Sequence, residues 1–483
     1  MNANANKELK QLIDKLDKPQ LVHSDIKPII EWLKTQAGIE VKQLGVSFLQ
    51  RDINLIKFGN GPTKLLAWTQ MHGDEPTATS AVFDLIHSLH FEPSALVPFQ
   101  LSDWASYFTF YIIPMVNPDG AEVITRQNAQ SIDINRDALA LQSPEGRILM
   151  KAIKDIAPDI AFNLHDQSDY YQCGDTKNPT TIGFLAPAFD IEKNIDDSRQ
   201  KAMLIIDYMK QAIEPEIPNQ IARYDDTFAE RCFGDNVAKQ KISTILIESG
   251  AAIGDANRQV ARKLNVKSVL SAMEYLHPSS TNKFEVSVSN YFDIPENYSK
   301  GMADVVFRDL HFIQPDHDLS YSASICVSRD NRFKKSKFVS FIGDGTGIAG
   351  LKEYDARNWC FIKGQTYHVD RELLLNDAAL FDLIKQGYIA FYDPQNLLEN
   401  RTQYPIEIAT ELPHVDIKNH TGKPIQELNQ QTLPNKNSQL DTYIHVNQNA
   451  QLNQPAHWII GDKDEPTSFI GAVINGELLL LKD

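Results

Sequence analysis

The sequence predicts an α/β protein built on a mixed, largely parallel, doubly wound sheet, followed by a mainly β accessory domain. Three observations carry that reading. Apolar strand-like runs alternate with amphipathic stretches up to about residue 276, a rhythm that implies a sheet covered by helices on both faces. At His277-Pro-Ser-Ser-Thr-Asn282 the composition turns small and polar, and beyond it strand-like runs dominate. The chain has 483 residues, more than one hydrophobic core usually serves, so two domains are expected, over 1–278 and 285–483.

Each element has a local cause. A helix is expected over 24–37, where Ser24 stands as a cap and Ile26, Ile29, Ile30 and Leu33 recur at helical spacing. Strands follow near 40–48, 52–58 and 64–70, with Gly59-Asn-Gly-Pro62 as a turn. Phe108–Ile113, Ile160–Leu164 and Ser243–Ile247 read as further strands, and helices are expected near 77–90, 145–156, 196–213 and 256–276. In the second domain Ala303–Phe307 and Phe338–Ile342 read as strands, and Arg371–Lys385 as a short helix. The Asn- and Gln-rich stretch over 415–455 reads as loops, and Asn475-Gly476 between apolar runs marks a hairpin.

Composition excludes several classes of function. With 42% hydrophobic and 23% charged residues, the chain is an ordinary globular protein. A formal charge of −16 argues against nucleic acid or an anionic membrane as partner, because phosphate binding needs clustered Lys and Arg. The first ten residues lack the apolar core of a signal peptide and no apolar run is long enough to cross a bilayer, so a cytoplasmic location is expected. The four cysteines are far apart without paired zinc spacing and are expected to be reduced thiols.

The chemistry concentrates at the ends of the strand-like segments of the first domain, where an open α/β sheet places its site. After Lys64-Leu-Leu-Ala-Trp-Thr69 come His72 and Glu75, three apart in the turn before a helix. His165 follows the run at 160–164, and Glu248 follows the run at 243–247. Between them lie Asn117-Pro-Asp-Gly120, Arg126 and Asp133-Ile-Asn-Arg-Asp137. Zinc bound by two imidazoles and a carboxylate keeps an open position for water and lowers that water's pKa. A carboxylate that is not a ligand then takes the proton. One guanidinium stabilises an oxyanion; a second, beside an amide, grips a free carboxylate. The sequence holds one candidate for each part. Arg136 has a plainer alternative as a surface partner of Asp133 or Asp137, and Asp166 is either an orienting neighbour of His165 or a solvated loop residue.

This ordered set resembles the zinc carboxypeptidases of the carboxypeptidase A type, over roughly residues 22–276. The family's pattern of His-x-x-Glu, Asn-Pro-Asp-Gly, an Arg before an Asn-Arg pair, a His and a Glu after a strand is matched in order. Gly45-Val-Ser-Phe-Leu-Gln-Arg-Asp-Ile53 is similar to its entry segment, with Gln50 in place of a Gly. The resemblance implies that His72, Glu75 and His165 bind one zinc ion per chain. It implies Glu248 as general base and acid, Arg126 facing the scissile carbonyl, and Asn135 and Arg136 holding a C-terminal carboxylate. The implied reaction is zinc-dependent removal of the C-terminal residue of a peptide. Two segments depart from the pattern. Asn163-Leu-His-Asp166 replaces Ser-x-His-Ser, and the family's mobile Tyr has no matched position, although Tyr224 lies nearby. An alternative on the same fold is a deacylase of the aspartoacylase and succinylglutamate desuccinylase type, acting on small acylated amino acids. A non-catalytic binding module is the third reading. The expected partner is a peptide or acylated amino acid with a free carboxylate.

Overall fold

A parallel core flanked by antiparallel edges organises the first part of the chain. The computed structural model describes residues 3–281, 283–314, 319–330, 332–334, 336–410 and 452–481. The chain divides into two compact units, Met1–Met302 and Ala303–Asp483. The loops expected over 415–455 lie, up to residue 451, outside the described residues.

The strands of the first unit are β1 (Ile39–Val46), β2 (Asp52–Gly59), β3 (Thr63–Trp68), β4 (Phe108–Ile113), β5 (Ile160–Asp166), β6 (Gln172–Cys173), β7 (Ile182–Leu185), β8 (Ile221–Arg223), β9 (Ser243–Ser249) and β10 (Asn297–Tyr298). Eight of them form one sheet in the order β1-β2-β4-β3-β5-β9-β7-β8, and β6 pairs with β10 outside it. The central β4-β3-β5-β9 run is parallel. Antiparallel joins occur at β1/β2, β2/β4 and β9/β7. The sheet is therefore mixed, with a parallel centre.

Helices cover both faces: α1 (Ala3–Asp14), α2 (His23–Leu33), α3 (Thr77–Ile86), α4 (Pro118–Val123), α5 (Pro144–Ile156), α6 (Asp197–Ile213), α7 (Phe233–Lys239), α8 (Gln259–Leu276) and α9 (Val288–Phe292). The period-two alternation of β3 shows how the faces divide. Leu65 and Ala67 join Phe58, Phe110, Phe162 and residues of α3, α6 and α8 in one core. Leu66 and Trp68 join Leu55, Ala161, Phe233 and residues of α5 in the other. Each such fully buried Leu or Phe contributes about 2 kcal/mol.

Local signals explain most ends. Ser143 accepts from the Gly146 N–H and Pro144 opens α5, whereas Ala157 closes it in the left-handed region. At α2 the sequence expectation needs correcting. The helix starts at His23, Ser24 makes no cap, and Asp25 accepts the Val22 N–H instead. The predicted 77–90 helix ends at Ile86 and continues as one π turn, His87–Phe91. His87 and His90 there bond to Asn6 and the Ala37 carbonyl.

The second unit is mainly β. Its strands are β11 (Met302–Gln314), β12 (Leu319–Ser328), β13 (Phe338–Gly343), β14 (Ala349–Asp355), β15 (Trp359–Ile362), β16 (Gln365–His368), β17 (Leu373–Leu375), β18 (Tyr388–Tyr392), β19 (Leu398–Asn400), β20 (Glu407–Ala409), β21 (Trp458–Asp462), β22 (Phe469–Ile474) and β23 (Glu477–Leu480), with one helix, α10 (Asp377–Lys385), among the described residues. The main sheet runs β13-β12-β11-β15-β21-β22-β23, with β14 on β11. Asn475 and Gly476, at φ 51° and 74°, turn β22 into β23, as the Asn-Gly pair predicts.

Candidate metal centre

The parallel centre of the sheet assembles the site. β3, β5 and β9 are neighbours, so their carboxyl ends lie side by side. His72 and Glu75 occupy the turn between β3 and α3. His165 and Glu248 are the penultimate residues of β5 and β9, paired directly across the ladder. Both strands run two residues further than the apolar runs suggested, because the polar residues at their ends are themselves buried.

Backbone packing forces the ligand turn into place. A Cβ on Gly73 would stand 2.0 Å from the Gly120 carbonyl carbon, so the turn bearing His72 and Glu75 lies directly against the Asn117-Pro-Asp-Gly120 turn. That second turn is structural: Asn117 Oδ1 accepts from the Gly120 N–H, and Asp119 is held by Ser47 and Arg51.

The two oxygens of Glu75 divide between the imidazoles. Oε1 lies 2.7 Å from His72 Nδ1 and Oε2 lies 2.7 Å from His165 Nδ1. All three residues are buried, and their ligating atoms lie within 4.8 Å of one another. Two imidazole nitrogens and a carboxylate converging from separate segments are the donor set that zinc takes. The residues present fit the ion. His72 Nε2 lies 3.2 Å from Asp133 Oδ1. A proton on that nitrogen fixes the ring and leaves Nδ1 as the lone pair. Burial disfavours charge on His72, but Glu75 and Asp133 outweigh it and raise its pKa. His165 is more enclosed and has only Glu75, so burial wins and lowers its pKa.

Arg126 joins this focus. Its Nε donates to Asp133 Oδ2 at 2.9 Å, and its Nη1 stands 3.6 Å from Glu75 Oε1. Asp133, which the sequence suggested only as an alternative partner for Arg136, thus braces both His72 and Arg126. Its place two residues before Asn135-Arg136 was the available signal.

Asn135 and Arg136 are placed differently from each other. Asn135 Oδ1 accepts the Phe233 N–H at 2.9 Å, which orients the amide and leaves its NH2 without a hydrogen bond among the described residues. Arg136 is exposed, and among the described residues its guanidinium bonds only to the Asn135 carbonyl and makes no ion pair. Its two suggested partners are occupied, Asp133 by Arg126 and Asp137 by Ser143 and the Gln142 N–H. The surface ion-pair reading of Arg136 is thereby removed.

Glu248 is buried, and burial together with the charges of Glu75 and Asp166 pushes its carboxyl well above the usual range. Tyr224, bonded to the Tyr171 hydroxyl at 3.2 Å, is close enough that Glu248 helps burial to hold its phenol protonated. Asp235 on α7 was not singled out by the sequence. Burial pushes it up to about 7, and the Ala229 N–H is its only hydrogen-bond donor among the described residues.

The sign of that shift gives a prediction. A raised carboxyl keeps its proton in the folded chain after the unfolded chain has lost it, so its contribution is fully present below about 4 and is lost as pH rises through about 7. Asp235→Asn removes this dependence. Denaturant melts should show the variant gaining about 2 kcal/mol on its parent between pH 5 and pH 8. A constant difference would refute the assignment.

Residues 32–142 match the family model described as zinc carboxypeptidase, a span that includes His72, Glu75, Arg126, Asn135 and Arg136 and stops before His165 and Glu248. No curated protein sequence matches the chain. Among solved structures, a metallo-carboxypeptidase from Burkholderia cenocepacia is similar at 18% identity, covering 52% of this chain and 68% of that one, with a TM-score of 0.42. A metallo-carboxypeptidase from Pseudomonas aeruginosa, in complex with (2-guanidinoethylmercapto)succinic acid, is similar at 17% identity over 53% and 69%, with a TM-score of 0.42. Carboxypeptidase A from Helicoverpa armigera is similar at 14% identity over 54% and 75%, with a TM-score of 0.43. Over residues 32–142, this chain is thus similar to the zinc carboxypeptidase family.

Proposed function

We propose that this protein is a zinc-dependent metallocarboxypeptidase that removes the C-terminal residue of a peptide. The observation that carries the reading is Arg136. It is an exposed guanidinium beside an oriented Asn135 amide, with its two suggested partners, Asp133 and Asp137, committed elsewhere. Such a pair suits a free carboxylate, which a planar fork and an amide grip together.

His72, Glu75 and His165 would hold the ion. Zinc bound there supplies Lewis acidity and an open coordination position. Glu248 takes the proton from the attacking water and delivers it to the departing amine, so one carboxyl serves both halves of the reaction. Burial and the charges of Glu75 and Asp166 raise its pKa, which favours the proton-holding form that the second half requires. Arg126, fixed by Asp133, offers its remaining N–H groups to the carbonyl oxygen as negative charge develops there.

The test is a panel of blocked dipeptides and acylated single amino acids on zinc-loaded protein. Release of the C-terminal amino acid from blocked dipeptides supports the proposal. A preference for acylated single amino acids would replace it with the deacylase reading, and zinc that stays sub-stoichiometric on adding it back would favour a binding module. Arg136→Ala should raise KM for substrates with a free carboxylate by about 10–100-fold while changing kcat little, the loss of a charged hydrogen-bonded grip. Equal KM values for free and amidated C-termini in the parent would contradict the role of Arg136.

A further inference from the structure

Arg258 has no part in the reaction above, yet its side chain is only 2% exposed. A buried guanidinium is costly unless its donors are met. Its Nη1 donates to the Ser249 carbonyl at 2.6 Å and its Nη2 to the Gln167 carbonyl at 2.7 Å, and Nη2 also pairs with Asp169. Ser249 directly follows Glu248, and Gln167 lies two residues beyond His165. The β5/β9 ladder ends with the pairs His165/Glu248 and Asp166/Ser249, closed by the Gln167 N–H on the Ser249 carbonyl at 2.9 Å. Arg258 takes up the backbone where the ladder stops.

Asp166 extends the same network to the ligand turn. Its carboxylate is buried, stands 3.7 Å from Arg258 Nη1, and accepts the Thr77 hydroxyl at 2.6 Å. Thr77 is two residues beyond Glu75. One guanidinium–carboxylate pair therefore touches the three segments that carry His165, Glu248 and Glu75. The start of α8 is arranged to present Arg258 inward. Asp255 accepts the N–H groups of Gln259 and Val260 and so performs the capping, while Arg258 sits in the left-handed region at φ 54°. Asn265, further along α8, adds a 2.9 Å bond to the Ser249 hydroxyl.

We propose that Arg258 and Asp166 are positioning residues that lock the two strand ends and the ligand turn into one geometry, and so set both zinc affinity and turnover. The inference rests on the zinc hydrolase reading for its catalytic half, whereas its metal-binding half stands separately. A rigid outer support of this kind governs how well ligands keep their orientation.

The test compares Arg258→Lys, Arg258→Gln and Asp166→Asn with Arg262→Lys, a control one turn along α8 whose partner is Asp84. Zinc affinity is measured by chelator competition and turnover is expressed per bound zinc. Zinc affinity should fall by about 10–100-fold in the Arg258 and Asp166 variants, most in Arg258→Gln, with partial recovery in Arg258→Lys. kcat should fall more than KM changes. Arg262→Lys should lower the melting temperature and leave zinc affinity unchanged. If the Arg258 and Asp166 variants only melt earlier, binding zinc and turning over as the parent does, the pair is merely structural and the inference falls. Should Arg258→Gln fail to fold, Arg258→Lys and Asp166→Asn decide it. Weakened zinc binding with a parent that cleaves no blocked dipeptide would leave the positioning role standing and remove the peptidase reading.

Discussion

Glu248→Gln should leave zinc stoichiometrically bound and lower kcat by about 10³-fold or more, with KM nearly unchanged. The amide has the same size and the space is closely defined, because a Cβ on Gly183, the cross-strand partner, would lie 3.3 Å from the Glu248 Cβ. Gln therefore occupies the same position without a basic oxygen. The variant should also be at least as stable as its parent at neutral pH. Burial and the charges of Glu75 and Asp166 raise the folded pKa of Glu248, so the stability associated with its proton is lost as pH rises, and a neutral amide avoids that loss. Metal analysis, steady-state kinetics and a thermal melt on one preparation check all three parts. Retention of most activity would show that another group moves the proton.

Glu75→Ala should abolish stoichiometric zinc and also weaken the metal-free fold. Each oxygen of this carboxylate meets an imidazole nitrogen at 2.7 Å, and the Asp166 N–H donates to Oε2 at 3.2 Å. Removing it leaves His165 and a backbone N–H without this acceptor, and leaves His72 with Asp133 alone. Breaking a buried charged cluster from one side costs about 3 kcal/mol. Burial opposes the charge on Glu75, but the two histidines overcome this and hold its pKa well below the usual range, so it acts as an anion. Equilibrium unfolding of metal-free parent and variant measures the stability difference, and titration with zinc measures the affinity. Normal zinc affinity in the variant would exclude Glu75 as a ligand.

The two experiments separate a failure of chemistry from a failure of assembly. In the first the ion stays and the proton transfer goes; in the second the ion goes. Arg136→Ala isolates substrate binding from both.

Much of the fold was legible because its signals are local. The apolar runs of β4, β5 and β9 and the capped start of α5 declare themselves through periodicity and turn residues. The short elements did not. β7 has four residues and β8 three, and Gly183 interrupts the first, so neither shows an alternation long enough to read. α7 begins at Phe233-Gly-Asp, a poor helix signal, and its first N–H is satisfied by Asn135, ninety-eight residues away. Ser24 failed as a cap because the helix already begins at His23, which places Ser24 inside its first turn.

By itself the sequence determined the α/β pattern and the residue types that meet at the carboxyl ends of β3, β5 and β9. Both depend on interactions within a few positions, namely strand period, turn chemistry and the three-residue spacing of His72 and Glu75. Only the tertiary structure decided how those residues are supported. Asp133 between His72 and Arg126, Arg136 without an ion partner among the described residues, and Arg258 beneath His165 and Glu248 each depend on burial and on contacts between distant segments. A buried charge must find its partner wherever packing brings one. Strand order and helix placement make that choice, and no local spacing encodes it.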